Sequence, residues 1–474
     1  MMTTEKVCKS AVYPGRAGRP FRLQRERMED PMNSPAGCPR FSCGNRELEQ
    51  AFELALETLA SNTKQGADGP CLMAGADYPT EWTRDAAINV WFAEALVDPE
   101  TARNTLLSVL EEKEDGPEIG GQYWDRIIWA IGAERLWDVT GDEDFARLAY
   151  GVLRRTAERC IREEYDPEDG LFRGPAVYGD GVSAYPPKYR NPSMAPSILR
   201  WPEEHPEERV PVGAGIPMKA LSTNCIYEHA FRVIARLAEV NGEDGSEWIC
   251  RADKLKEAIR SAFRNPRTGL FDYLVKECDA QESLGLAFAI LFGIADGEQT
   301  RSILEHTYRT KQGIPCVWPA FPPYNEQGYG RHSGTVWPHI QGFWALAALK
   351  AGRGDLFEEE LYALASHAVR DGQFAEIYHP EDGRIYGGIQ EGFGKYIEWR
   401  SCEKQTWSAA AFLAMVFYGI FGLNPDGTPG QPYVPEGIAY ARLDADFAER
   451  IIQIEGKTEE PSLCLASVLK GENT

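Results

Sequence analysis

The sequence predicts an all-α fold: an (α/α)6 toroid of six helical hairpins, with long loops at one end and a short extended C-terminal tail. Three observations predict it. Apolar residues recur at the helical period from Asn45 onward, enough for twelve helices. Strands do not alternate with those helices as a parallel sheet would require. A short segment also repeats: Asp166-Pro167-Glu168-Asp169-Gly170-Leu171-Phe172 returns as Asn265-Pro266-Arg267-Thr268-Gly269-Leu270-Phe271, and more loosely as His379-Pro380-Glu381-Asp382-Gly383-Arg384-Ile385. The copies lie about 100 residues apart, near what two helical hairpins and their loops occupy. Each reads as a turn feeding a short extended piece.

Along the chain, residues 1–42 are rich in Pro, Gly and Arg and are expected to form an irregular N-terminal arm. Helices are expected near 46–63, 84–97, 100–112, 122–140, 143–164, 218–241, 247–264, 280–293, 297–308, 334–351, 355–370 and 405–421. Thr140-Gly141-Asp142 marks the start of the fifth, since Asp is a good N-cap. The run Ala409-Ala410-Ala411-Phe412-Leu413 has the small and apolar composition of a buried helix. The barrel would cover 43–422, and 423–474 would be an extended tail packed on it. Four connections, 64–83, 165–217, 309–333 and 371–404, exceed simple turns. Loops of that length are functional or disordered, and these carry Trp, Tyr, Asp, Glu and His.

Composition narrows the function. With 50 basic against 72 acidic residues the net charge is −22, which disfavours a nucleic-acid partner. No apolar run reaches the ~18 residues of a membrane span, and the first residues lack a signal-peptide core. Eleven cysteines without paired spacing suggest reduced thiols, so a cytoplasmic protein is expected. Four histidines of the C-terminal third, His332, His339, His367 and His379, show no metal-ligand spacing. Phosphate loops and nucleophile elbows are absent.

What remains is carboxylates among aromatics, the equipment of glycosidic bond cleavage: one carboxyl protonates the departing oxygen, another activates water or attacks the sugar. In Tyr78-Pro79-Thr80-Glu81-Trp82-Thr83-Arg84-Asp85, Arg84 and Asp85 can bind adjacent sugar hydroxyls with Trp82 as a stacking floor, or merely cap a helix. Gln122-Tyr123-Trp124-Asp125-Arg126 places Trp124 and Asp125 at another helix start. Tyr178-Gly179-Asp180-Gly181 sets Asp180 between glycines in a long loop; it is either a turn or an acid whose desolvation would raise its pKa. Arg331-His332-Ser333-Gly334-Thr335-Val336-Trp337-Pro338-His339 suits a pocket wall, or holds structural histidines. Glu376 and Glu403 are both candidate bases, and local chemistry does not separate them.

These motifs together resemble the six-hairpin glycosidases, particularly the amylo-α-1,6-glucosidase half of glycogen debranching enzymes and related bacterial α-glucosidases. His332-Ser333-Gly334-Thr335-Val336-Trp337-Pro338-His339 is similar to their HNGTVWPW segment. Ala375-Glu376-Ile377-Tyr378 and Gln405-Thr406-Trp407-Ser408 are similar to their PE-x-F/Y segment and QAWS helix, a pair that neutral invertases share. The resemblance spans roughly 45–422 and implies Glu376 as the base and Asp180 as the general acid. It also implies that Trp82, Arg84 and Asp85 grip the terminal sugar, joined by Trp124, Asp125, Tyr178, Trp337, His339, Gln405 and Trp407. The implied reaction is release of a terminal α-linked glucose or similar hexose from a small glycoside, without metal or organic cofactor. Inversion would place the two carboxyls about 6.5–9.5 Å apart. A disaccharide phosphorylase would instead need a basic anion pocket, a sugar epimerase would use paired histidines, and a non-catalytic toroid would keep only the aromatic pocket.

Overall fold

The computed structural model describes residues 38–78 and 80–453. Residues 1–37 of the expected arm and 454–474 of the expected tail lie outside the described residues. All twelve expected helices are present: α1 (Arg46–Asn62), α2 (Thr83–Asn89, continuing through a π-helical turn Val90–Glu94 into Ala95–Val97), α3 (Pro99–Ser108), α4 (Tyr123–Thr140), α5 (Glu143–Glu164), α6 (Leu221–Val240), α7 (Ser246–Phe263), α8 (Ser283–Leu291), α9 (Gly297–His306), α10 (Pro338–Lys350), α11 (Gly354–Asp371) and α12 (Thr406–Ala414, continuing as a π-helical turn Met415–Ile420). Their starts follow the local chemistry. Asn45 accepts hydrogen bonds from the N–H groups of Glu47 and Leu48, Asp142 from Phe145, and Asp296 forms a capping box with Gln299. Gly141 and Gly372 end α4 and α11 in left-handed conformations at φ 62° and 63°.

Burial sorts the helices into two rings. α8, α10 and α12 are buried almost all round, and helices of that composition belong inside. α5 buries one stripe only, through Phe145, Ala149, Val152, Leu153, Thr156 and Cys160. The even-numbered helices pack in cyclic order, α2 on α4, α4 on α6, α6 on α8, α8 on α10, α10 on α12 and α12 back on α2. Outside them, α1 lies on α12, α3 on α2 and α4, α5 on α4 and α6, α7 on α6, and α11 on α10. The alanine run of α12 lets its neighbour approach closely, as a Cβ on Gly342 of α10 would stand 2.7 Å from that of Ala411. This closed ring is the all-α toroid that the helical period predicts.

The repeated segment has one structure in all three places. Gly170, Gly269 and Gly383 adopt φ 75°, 76° and 70°, and their N–H groups donate to Asp166, Asn265 and His379 carbonyls, each at 2.9 Å. Only glycine takes that left-handed geometry freely, which is why it recurs. The first two turns close the two-residue strand pairs Tyr165–Asp166 with Leu171–Phe172 and Arg264–Asn265 with Leu270–Phe271; the third closes the single bridge Tyr378 to Ile385.

At the chain's far end, strands Tyr440–Ala445 and Ala448–Gln453 form an antiparallel hairpin. Arg40–Ser42, expected as irregular arm, instead pairs with Tyr440–Ala445 as a third strand. The hairpin seats on α12's π turn through Phe447 against Phe417, ring centroids 5.3 Å apart, and on the loop after that turn through Arg450 donating to the Gly430 carbonyl at 2.7 Å. The nine cysteines of the described residues are free thiols. Among those residues no helix is long and apolar enough to cross a membrane.

Candidate active site

Each inner helix turns into its outer successor within one to five residues from α2 to α11, so the pairs run antiparallel. The inner helices are therefore parallel, and their N-termini gather at one end, where the long loops feed them. The predicted site residues are spread over more than 320 positions of sequence, yet they sit at the heads of these helices or in those loops: Arg84 and Asp85 on α2, Asp125 on α4, His339 on α10, Gln405 and Trp407 at α12.

Glu376 is buried, with its side chain 3% exposed. Arg331 Nη2 donates to its Oε2 at 2.7 Å, Tyr78 O–H to its Oε1 at 3.0 Å, and the Cys402 N–H to Oε2 at 3.0 Å. The Arg331 guanidinium is in turn fixed by the carbonyls of Gly387 at 3.0 Å and Arg400 at 3.2 Å. Three donors on one carboxylate hold it in a single orientation. Glu403, the other base candidate, is exposed and paired to Arg400 at 2.6 Å.

Asp180 stands more open, its side chain 42% exposed. His332 Nε2 lies 3.2 Å from its Oδ1, and Arg84 Nη2 lies 3.7 Å from its Oδ2. Arg84 also pairs with Asp125 at 3.5 Å, donates to the Val177 carbonyl at 2.7 Å and lies over the Trp407 ring at 5.9 Å. Asp85 accepts from Gln405 Nε2 at 3.2 Å. The fields of Asp180 and Glu376 both reach Asp85 and Arg331, so the two carboxylates belong to one charged cluster.

The electrostatics correct one expectation. Burial pushes the Asp180 carboxyl up, as the sequence reading supposes, but the His332 hydrogen bond and the Arg84 and Arg331 guanidiniums outweigh it and hold the group below the usual carboxylate range. Burial wins instead at Asp85 and Asp125, each pushed up to about 7 despite Arg84. Against ordinary values of 3.8, these two bind more protons in the folded chain than in the unfolded one between about pH 4 and 7. Stability should therefore fall as pH rises through that window. Asp125→Asn is expected to flatten the decline, measured by denaturant melts from pH 4.5 to 8; an unchanged slope would show that Asp125 is ionised throughout.

Other predicted residues take distinct places. His339 is wholly buried, its ring 4.4 Å from that of Trp407, and neither ring nitrogen has a hydrogen-bond partner. Trp407 Nε1 and Gln405 Oε1 are likewise buried without one. Buried polar atoms are otherwise satisfied in proteins, so these offer hydrogen-bonding capacity to a hydroxyl-rich ligand. Trp337 spends its indole N–H on the Arg331 carbonyl at 2.8 Å and stacks on His332 at 4.9 Å. Tyr178 tilts against His332 at 6.1 Å, and Trp124 is wholly buried at the head of α4. Trp82 is 46% exposed and edge-on to Tyr78 at 6.4 Å, because it precedes the first buried turn of α2.

Sequence reasoning passed over Tyr78 and Arg331. Both stand inside the segments quoted above, and a buried carboxylate's need for a cation could have singled out Arg331. Among the described residues no group of three His, Cys, Asp or Glu side chains could hold a metal ion.

Comparison with known proteins agrees with this architecture. No curated protein matches the chain. A sialidase structure matches with a TM-score of 0.64 at 15% identity, covering 88% of this chain and 38% of that one. The GH63 mannosylglycerate hydrolase from Thermus thermophilus, solved with glucose, matches with a TM-score of 0.57 at 18% identity, covering 77% of this chain and 99% of that one. The GH78 rhamnosidase of Bacillus sp. GL1 matches with a TM-score of 0.58 at 16% identity, covering 88% and 40%. The chain thus spans about two fifths of the length of the sialidase and the rhamnosidase. The family model of the mannosylglycerate hydrolase MGH1-like glycoside hydrolase domain matches residues 78–408, from Tyr78 beside the base candidate to Ser408 in α12. The chain belongs to the MGH1-like glycoside hydrolase family, within the six-hairpin (α/α)6 superfamily.

Proposed function

We propose that the protein releases a terminal α-linked hexose, glucose or a close analogue, from a small glycoside by an inverting two-carboxylate mechanism. The observation that carries this is the contrast between the two carboxylates of one cluster. Glu376 is immobilised by three donors, as a base that must aim a water needs to be, while Asp180 is open enough to reach a leaving oxygen. Asp180 protonates that oxygen as the glycosidic bond breaks; water adds its oxygen to the anomeric carbon and yields a proton to Glu376. Asp85, Gln405, His339 and Trp407 bind the hydroxyls and ring of the terminal hexose. That the Thermus mannosylglycerate hydrolase was solved in complex with glucose supports a hexose as the sugar.

Proton NMR of the sugar first released from a panel of α-glycosides tests the reading. The β-anomer is expected before mutarotation, without added phosphate. The α-anomer would overturn inversion, and sugar phosphate formed only with phosphate present would replace water as the acceptor. No turnover across the panel would overturn the assigned substrate.

A further inference from the structure

Beside Asp180 runs a chain of hydrogen bonds that hydrolysis by two carboxylates does not require. Ser183 O–H donates to Gln390 Oε1 at 3.1 Å. The same hydroxyl oxygen accepts the backbone N–H of His332 at 3.3 Å, and His332 Nδ1 lies 3.3 Å from it. A hydroxyl has one hydrogen and two acceptor sites. With its hydrogen on Gln390, Ser183 can meet Nδ1 only as an acceptor, so Nδ1 carries a hydrogen. The opposite nitrogen, Nε2, is the one 3.2 Å from Asp180 Oδ1.

The chain is built in. A Cβ on Gly181 would collide with Gln390 Oε1 and stand 2.9 Å from His332 Nδ1, so the glycine after Asp180 makes room for it. Trp337 stacks on the imidazole and fixes its plane. The charged and titratable groups facing His332 are Asp180 from the 165–217 loop, Arg84 from α2, Arg331 from its own loop, His339 from α10 and Tyr178. Burial favours the neutral ring.

We propose that His332 is a positioning residue for the acid: with Nδ1 committed to Ser183, Nε2 and the Asp180 carboxyl hold one proton between them. This rests on the reading of Asp180 as general acid. Loss of that proton leaves a carboxylate oxygen against a bare ring nitrogen, two acceptors facing each other in a buried site. The pair therefore keeps its proton to higher pH than Asp180 would beside a ring that donated from Nε2, the arrangement in which His332 pulls the Asp180 carboxyl down. In the reaction, the electrons of the breaking C–O bond go to the leaving oxygen, which takes this proton through Asp180. Solvent returns a proton to the pair after product leaves, while Glu376 gives up the one it took from water.

Two measurements on the full chain test it. Nitrogen-15 NMR of histidine-labelled protein, with His332 assigned by its loss in His332→Gln, should show hydrogen on Nδ1 at neutral pH; a neutral ring with hydrogen on Nε2 overturns the proposal. In the pH profile of kcat/KM, His332→Gln and Ser183→Ala should move the alkaline limb down by about one unit, with KM little changed and activity recovering at acid pH. Uniform loss at every pH, or an unmoved limb, overturns it. Gln390→Glu can only accept, so its limb should stay at or above the wild-type position; a lower one overturns the direction of the chain. Nδ1–H in a protein that cleaves no glycoside would sink the hydrolase reading alone, and hydrolysis with Nε2–H would sink the proton pair alone.

Discussion

Asp180→Asn and Glu376→Gln are each expected to lower kcat by about 10²- to 10⁴-fold on a natural glycoside, because each removes one proton transfer from the transition state. The two should part company on a 4-nitrophenyl glycoside. Its leaving group departs without a proton, so Asp180→Asn should regain much of its rate while Glu376→Gln stays slow. Steady-state kinetics on both substrates would read this directly. Recovery by Glu376→Gln in place of Asp180→Asn would exchange the two roles, and near-wild-type activity in either variant would remove that residue from the mechanism. Both side chains keep their size in these changes, so loss of fold is not the expected cause of any loss of rate.

The second large effect concerns stability. Arg331 and Glu376 form an ion pair whose side chains are 10% and 3% exposed. Breaking such a pair from one side strands a buried charge, and Arg331→Met is expected to cost about 3–5 kcal/mol in denaturant melts. Arg331→Met combined with Glu376→Gln should recover much of the stability and none of the activity, since no lone charge remains. A cost under about 1 kcal/mol for the single change would show that water reaches the pair.

The helices are legible in the sequence because each is a local decision. Caps such as Asn45 for α1 and Asp142 for α5, and an end glycine such as Gly141 for α4, lie within a residue or two of the helices they bound. The repeated Gly170 and Gly269 turns are legible for the same reason. The strand Arg40–Ser42 is not, since its partner Tyr440–Ala445 lies some 400 residues away and three residues carry no period of their own. An aromatic beside a helix start, such as Trp82, suits a sugar floor by its chemistry; whether such a ring ends at the rim or the base depends on the loop before it.

The sequence by itself determined the twelve helices, their caps, the closing repeat, and the two segments that carry Asp180 and Glu376. It did so because helical period and turn chemistry are short-range properties of the chain. Only the tertiary structure decided which carboxylate is buried and which solvated, separating Glu376 on Arg331 and Tyr78 from Glu403 on Arg400. It alone also decided the sign of each charge shift, downward at Asp180 and upward at Asp85 and Asp125. Those outcomes depend on desolvation and on cations contributed by α2 and the 309–333 loop, distances that exist only once the ring has closed.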